Sequence, residues 1–341
     1  MPPATVMVNI SGNITDGVIN GNATGNGSGV DISGNSTLTN TTINGSASGN
    51  GSGVVTGGNT TTNGSTITGN ASNGSGVQVG GNLTNSNTTI TGNSTGSNSG
   101  VDINGTVTGG TITGGNTGDG NGVNISGNIT DGVINGNASN GSGVEVGGNL
   151  TNTNNTTITG NSSGNGSGVD INGTVTGGTI TGGNTGDGNG VDINGSVTNG
   201  SVTGNATNGS GVDISGNSTL TESTVNGSSV NGSGIKVTEP VTVTNSSLSG
   251  SSTNGLDMEY VSPSHRGVET GWQHQDAGLR RGQLSGSEAV AASGYQSPVV
   301  PLNVSICTEE EQCEAGPVVA SRGGDILPPH HSVEVIRPEE P

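Results

Sequence analysis

Residues 101–122 read VDINGTVTGGTITGGNTGDGNG, and this stretch decides the fold. Val101 and Ile103 alternate with polar residues, which is the two-residue period of a β-strand. Two further alternating segments follow, centred on Val107 and Ile112, and glycines separate them. Glycine, asparagine and aspartate in the remaining positions favour turns. The stretch therefore predicts one coil made of three short strands.

The opening sequence of this coil recurs along the chain at intervals of 21 to 25 residues. In most coils a glycine is followed by two apolar residues with one residue between them. The first apolar residues are Val8, Val30, Val54, Val77, Val101, Val123, Val144, Val169, Val191, Val212 and Ile235, with Leu256 as a possible twelfth. A period of this length is typical of stacked coils rather than of a globular domain.

Stacking the coils brings four apolar positions of each coil into register. Two are in the first strand. A third column runs through Ile14, Leu38, Leu83, Val107, Ile129, Leu150, Val175, Val197, Leu220 and Val243, and a fourth through Ile19, Ile43, Ile67, Ile90, Ile112, Ile134, Ile158, Ile180, Val202, Val225 and Leu248. In the coil that begins at Val54, threonines at Thr56 and Thr61 occupy apolar columns.

These columns predict an all-β chain, a right-handed parallel β-helix (β-solenoid) of about 22–23 residues per coil with three short strands per coil. The solenoid is expected to span residues 1–256 in about eleven coils, and each strand to pair in parallel with its equivalent in the next coil. Coils stacked about 4.8 Å apart give a rod roughly 50 Å long.

Asparagine recurs shortly after the third apolar segment. We expect it to accept a left-handed backbone in a turn, or to form hydrogen-bonded amide ladders along the rod. The residues are Asn22, Asn70, Asn93, Asn116, Asn137, Asn161, Asn184 and Asn205.

Composition excludes several functions for the repeats. The formal net charge is −19 and no lysine or arginine precedes Lys236, so the repeats lack the cations that bind nucleic acid. No apolar stretch is long enough to span a bilayer, and no signal peptide is visible. The start of the chain almost inside a coil suggests a fragment of a longer secreted protein. The repeats contain no histidine or cysteine, so we expect no enzyme activity.

One column of outward positions in the first strand is acidic. Glu145, Asp170, Asp192 and Asp213 are expected in successive coils, where like charges repel. Calcium binds oxygen ligands of this kind and would relieve the repulsion. The alternative is a solvated acidic face without a specific metal. No other cofactor is expected.

Threonines flank the third-strand column and favour a second kind of surface. The pairs are Thr66/Thr68, Thr89/Thr91, Thr111/Thr113, Thr157/Thr159 and Thr179/Thr181, with interruptions at other coils such as Val133/Asn135. Regular threonine arrays suggest an ice-binding surface. The alternative is that threonine is simply a good exposed strand residue.

The composition changes after Leu256. Residues 257–341 hold all the aromatic residues, all four histidines and both cysteines, and we expect an irregular, largely disordered or capping tail. Cys307 and Cys313 either close a small disulfide loop or remain reduced. His330–His331 is a candidate metal-binding pair, and the alternative is an exposed loop.

Asparagine acceptor triplets for glycans are common in the repeats. Examples are Asn13-Ile14-Thr15, Asn82-Leu83-Thr84 and Asn128-Ile129-Thr130. Most of them are expected by chance in a chain of this composition, and glycosylation stays open.

The repeats, quoted as VDINGTVTGGTITGGNTGDGNG and VNISGNITDGVINGNASNGSG, resemble the β-solenoid shafts of bacterial secreted adhesins. These are filamentous-haemagglutinin-like exoproteins of two-partner secretion and the passengers of autotransporters. The resemblance implies an extracellular or cell-surface rod, associated with the bacterial outer membrane, with a structural or adhesive role. Implied partners are a host-cell surface or glycan receptor, another copy of the rod, or an outer-membrane transporter. The alternatives are a ligand- or ice-binding solenoid surface and, least favoured, a carbohydrate-acting β-helix enzyme.

Overall fold

A computed structural model of the chain describes residues 7–151, 156–238, 241–261, 283–285, 301–306 and 314–319. Within these residues the chain is all-β, without a helix, and its coils stack into a solenoid with three strands per coil. Equivalent strands pair in parallel from coil to coil and form three long sheets. The predicted β-solenoid of about eleven coils is confirmed.

Sheet 1 contains the first strand of each coil. Its twelfth strand pairs Met258, not Leu256, with Ile235, so the solenoid continues past the expected boundary at residue 256. Its strands are Val8–Ser11, Val30–Ser33, Val54–Thr56, Val77–Val79, Val101–Ile103, Val123–Ile125, Val144–Val146, Val169–Ile171, Val191–Asn194, Val212–Ser215, Ile235–Thr238 and Met258–Val261.

Sheet 2 contains the second strands, which are two to four residues long. They are Ile14–Thr15, Ser36–Thr39, Thr60–Asn63, Leu83–Ser86, Val107–Thr108, Ile129–Thr130, Leu150–Thr151, Val175–Thr176, Val197–Thr198, Ser218–Thr221 and Val241–Thr244.

Sheet 3 contains the third strands, and its first eleven strands are all six residues long. They are Val18–Ala23, Thr42–Ala47, Thr66–Ala71, Thr89–Ser94, Thr111–Asn116, Val133–Ala138, Thr157–Ser162, Thr179–Asn184, Ser201–Ala206, Thr224–Ser229 and Ser247–Ser252. Gln283–Ser285 then pairs with Ser247–Ser249 and adds a twelfth strand.

The core is a narrow column of aliphatic side chains between the three sheets. Ile112 pairs with Ile134, which pairs with Ile158, and all three side chains are fully buried. β-Branched residues dominate this core because their stiff side chains pack well on their equivalents in the next coil. The predicted stacking of residues that recur about every 22 positions is therefore confirmed.

The predicted inward position of Thr61 is wrong. Thr61 is exposed, whereas its neighbours Thr60 and Thr62 are buried. Thr62 pairs with Leu38 in the coil before, and Thr60 pairs with Leu83 in the coil after. The inward aliphatic position of sheet 2 thus moves by two residues along the strand direction across this coil. Two hydroxyl side chains face inward where the shift occurs.

Hydrogen bonds satisfy some of the polar groups that interrupt the aliphatic column here. The Thr60 hydroxyl donates to the Thr56 hydroxyl at 2.8 Å, and the Thr62 hydroxyl donates to Oδ1 of Asn85 at 2.5 Å. Nδ2 of Asn85 is buried without a partner. Because an unpaired buried donor costs free energy, this coil is expected to be a weak point of the rod.

A column of glycines faces inward in sheet 3. A Cβ on Gly136 would lie 1.8 Å from the carbonyl oxygen of Gly143, at the start of the next coil. Only glycine permits this close approach between the third strand and the following turn. The equivalent positions are Gly21, Gly45, Gly69, Gly92, Gly114, Gly136, Gly160, Gly182, Gly204, Gly227 and Gly250.

The expectations for asparagine are confirmed only in part. Nδ2 of Asn93 donates to Oδ1 of Asn70 at 3.2 Å, so amide ladders do form in sheet 3. These residues lie within strands, however, and Asn116 is buried and bonds backbone carbonyls. The left-handed backbone occurs instead in the turns between the second and third strands, at Asn40, Asn87, Asn199 and Asn245.

Two strands of the expected tail pair with each other. Pro301–Ile306 and Glu314–Val319 form an antiparallel pair. Cys307, Cys313 and His330–His331 lie outside the described residues.

Candidate functional site

The acidic column predicted from the sequence lies on the outward side of sheet 1. Glu145 pairs with Asp170, Asp170 with Asp192, and Asp192 with Asp213, each in the next coil. Lys236 follows Asp213 in register. We call Glu145, Asp170, Asp192 and Asp213 the acidic column. The structure places all four side chains in register, one in each successive coil.

Asparagines in the preceding turns support the acidic column. Asn121 donates a hydrogen bond from Nδ2 to the Glu145 carboxylate, and Asn189 donates to Asp192 at 3.2 Å. Asn121 lies two residues before Val123, whose strand neighbours that of Glu145 in sheet 1, and Asn189 lies two residues before Val191, in the strand of Asp192. They were not predicted from the sequence, although both occupy the same position, two residues before a first strand.

Lys236 ends the acidic column. Its Nζ lies 2.9 Å from Oδ2 of Asp213, which is only 8% exposed. Burial lowers the pKa of Lys236, but the hydrogen bond from Lys236 to Asp213 and the negative charges of Asp213, Glu259 and Asp192 outweigh burial and raise it. Lys236 therefore keeps its positive charge at neutral pH. The other oxygen of Asp213 is buried without a partner.

Three aspartates on the outward side of sheet 1 are less acidic than usual. Burial, with the negative charges of Asp192 and Glu145, raises the pKa of Asp170 from 3.8 to about 6. Burial and the charge of Asp213 raise the pKa of Asp192 despite the opposing effects of Asn189 and Lys236. Burial also raises the pKa of Asp102. The charged form is disfavoured because desolvation and like charges both oppose it.

We expect the rod to be more stable at mildly acidic pH than at pH 8. A carboxyl group whose pKa is raised on folding binds its proton more tightly in the folded chain. For Asp170 the free energy of unfolding therefore rises as the pH falls from about 6 towards 3.8. The contribution is on the order of 1–2 kcal/mol after allowance for solvent screening.

Replacement of Asp170 tests this effect. Asp170→Asn should raise the melting temperature at pH 8 and reduce the gain in stability on acidification. Asp31→Asn is the matched control, since Asp31 lies in the same outward row between Asn9 and Val55 rather than between carboxylates. Equal melting behaviour of the two variants across this pH range would contradict the assignment.

The structure does not gather the acidic column into a coordination shell. Its carboxylates follow one another along the axis, and among the described residues no three histidine, cysteine, aspartate or glutamate side chains are placed to hold one ion. A calcium ion bridging neighbouring coils stays a prediction.

The threonines on the outward side of sheet 3 form two columns. Thr66 pairs with Thr89 and Thr89 with Thr111, while Thr68, Thr91 and Thr113 pair in the same way. The columns are interrupted at Val133 and Asn135, as the sequence indicates. Ice binding by this array stays a prediction.

Sheet 2 carries a threonine column that the sequence analysis missed. One threonine of each second strand faces outward in ten successive coils: Thr37, Thr61, Thr84, Thr108, Thr130, Thr151, Thr176, Thr198, Thr221 and Thr244. The signal was available, because a threonine follows nearly every apolar residue of the second strands.

A shallow hollow occurs at the carboxyl ends of three neighbouring strands of sheet 3. It has a volume of about 250 Å³ and is lined by Asn161, Ser162, Gly183, Asn184, Thr185, Asn205, Ala206 and Thr207. None of these side chains is an acid or a base that titrates near neutral pH. The hollow therefore offers hydrogen-bonding groups and no general acid or base.

No protein-family model, curated protein or solved structure matches the chain. In the part of the chain that the structure describes, no helix has the length and apolar character needed to cross a membrane.

Proposed function

We propose that this chain is the shaft of an extracellular rod with a structural or adhesive role. One observation carries the proposal: the coils are interchangeable building units. Residues 77–123 recur at 144–191 with one inserted residue, and both copies continue the same three sheets. A catalytic cleft depends on particular residues at one place, whereas a spacer or a repeated display surface tolerates copied units.

The composition of the surface supports the same role. The outward side chains of sheets 2 and 3 are small and polar, and those of sheet 1 are largely acidic. A surface of this kind keeps a long, exposed rod soluble. The resemblance to secreted bacterial shafts supports a role at a cell surface, where the rod would hold a binding partner away from the cell or contact it directly.

A bead-attachment assay tests the proposal. Beads that carry the purified full chain should attach to host cells, to immobilised glycans or to one another. Beads that carry Gly136→Ala, which disrupts the solenoid with almost no change in composition, should attach less. Absence of attachment in all three formats, or equal attachment by the variant, would contradict an adhesive role for the folded rod.

A further inference from the structure

Charged side chains are unevenly distributed around the rod. Among the described coils they lie on the outward side of sheet 1 or in turns, such as Asp16, Asp119 and Glu222. We call the outward side chains of the eleven strands from Val18–Ala23 to Ser247–Ser252 the uncharged face. Every position on this face is threonine, serine, asparagine or glycine except for two valines. The face is free of charge in a chain whose net charge is −19.

The absence of charge extends further along sheet 3 than the threonine array does. The threonine columns break at several strands, including those that contain Asn44, Asn135 and Asn226. A regular lattice of hydroxyl groups is lost at these strands. The small size and neutrality of the side chains continue over all eleven strands. Because small size and neutrality continue along the whole face and the hydroxyl pattern does not, the face favours close approach of another surface over recognition of a hydroxyl pattern.

Two features hold the uncharged face rigid before anything binds. Pairs of asparagines in neighbouring strands are hydrogen-bonded: Asn44 donates to Asn20 at 2.9 Å, and Asn161 donates to Asn137 at 3.2 Å. Threonine side chains are β-branched and restricted in rotation. Side chains that are already ordered lose little entropy on association.

The uncharged face also presents apolar groups and sufficient area. Val18 is 71% exposed and Val133 is 37% exposed, and both point outward from this sheet. Six-residue strands make the face about 20 Å wide, and eleven coils make it about 50 Å long. Two such faces in contact would bury on the order of 2,000 Å², which is sufficient for a stable interface.

We propose that the uncharged face pairs with the same face of a second copy of this chain. The second copy has the same spacing between coils, so the strands of the two faces can stay in register along the rod. Facing sheets pack about 10 Å apart, as in zippers of small polar side chains. Repulsion between acidic side chains keeps the sheet 1 sides apart. Of the two uncharged sheets, sheet 3 has the longer strands and therefore the larger face. This pairing deepens the proposed role of the rod, on which it rests, by naming one partner.

Sedimentation analysis of the full chain tests the pairing. The wild type should sediment as a dimer in a concentration-dependent manner. Asn135→Asp with Asn226→Asp places two charges on the uncharged face with little change in side-chain shape, and should weaken dimerisation by about tenfold or more. Asn104→Asp with Asn172→Asp is the matched control. It adds the same charge at exposed positions after first strands, and should leave dimerisation unchanged.

The other outcomes separate the pairing from ice binding, from a general effect of charge and from the proposed function. A wild type that stays monomeric at every concentration would overturn the pairing. Thermal hysteresis by that monomer would indicate that the uncharged face binds ice. Equal weakening by both double variants would mean that net charge, rather than this face, controls association. Attachment of beads to cells by a monomeric rod would leave the proposed function standing. Dimers whose beads attach to one another but to neither cells nor glycans would support the pairing and contradict attachment to those two partners.

Discussion

Replacement of Gly136 by alanine is expected to destabilise the rod severely. The added Cβ would lie 1.8 Å from the Gly143 carbonyl oxygen and 2.5 Å from its carbon. Both are backbone atoms at the start of the next coil, so a side-chain rotation cannot relieve the contact. We expect a loss of at least about 3 kcal/mol, at the upper end of overpacking effects. Thermal unfolding followed by circular dichroism measures this loss.

Gly25→Ala is the matched control for this substitution. A Cβ on Gly25 would meet no atom within 4 Å, and its backbone is not left-handed. The same chemical change should alter stability by about 0.5 kcal/mol or less at that position, and a slight gain is expected from the more restricted unfolded chain. If both variants have the same melting temperature, the inference that the glycine column lies too close to the next coil to admit a side chain is wrong.

Removal of one whole coil is expected to leave a folded, shorter rod. Deletion of residues 101–122 joins Gly100 directly to Val123, which restores the glycine–valine junction found at the start of most coils. Val77 then pairs with Val123, and Ile90 with Ile134, so aliphatic residues again lie on aliphatic residues. Because stability in stacked repeats is a sum of coil and interface terms, the transition should stay cooperative with a small loss.

Deletion of half a coil is the control with the opposite outcome. Removal of residues 101–111 joins Gly100 to Ile112, so a third strand follows where a first strand is required. The ladders on both sides of the junction then lose their register, and polar side chains are forced inward. We expect a loss of several kcal/mol and a much reduced strand signal. A half-coil deletion as stable as the whole-coil deletion would contradict the stacking.

The main core was predictable because two periods coincide in the sequence. Ile112, Ile134 and Ile158 each lie at the centre of an alternating segment, and they recur at the coil period. Both signals point to the same inward position, and the structure places all three residues there. The acidic column was predictable for the same reason, since its members alternate with the inward residues of the first strands.

Other features were not predictable from hydrophobic pattern. Thr60, Thr61 and Thr62 carry the same side chain, so alternation cannot tell which of them faces inward, and the shift of the sheet 2 column was missed. The inward glycine column has no side chain and therefore no hydrophobic signal, although Gly136 and its equivalents recur two residues after each third-strand aliphatic residue. The raised pKa of Asp170 depends on burial, which requires coordinates.

Distances between spin labels test the central claim most directly. Asn44, Thr181 and Asn226 share one outward column of sheet 3, with six coil steps from Asn44 to Thr181 and eight to Asn226. Cysteine pairs at 44/181 and 44/226, with Cys307 and Cys313 replaced by serine, should give narrow distributions near 29 Å and 38 Å, or about 4.8 Å per coil. Broad distributions, or equal distances for the two pairs, would show that these coils are not stacked in register.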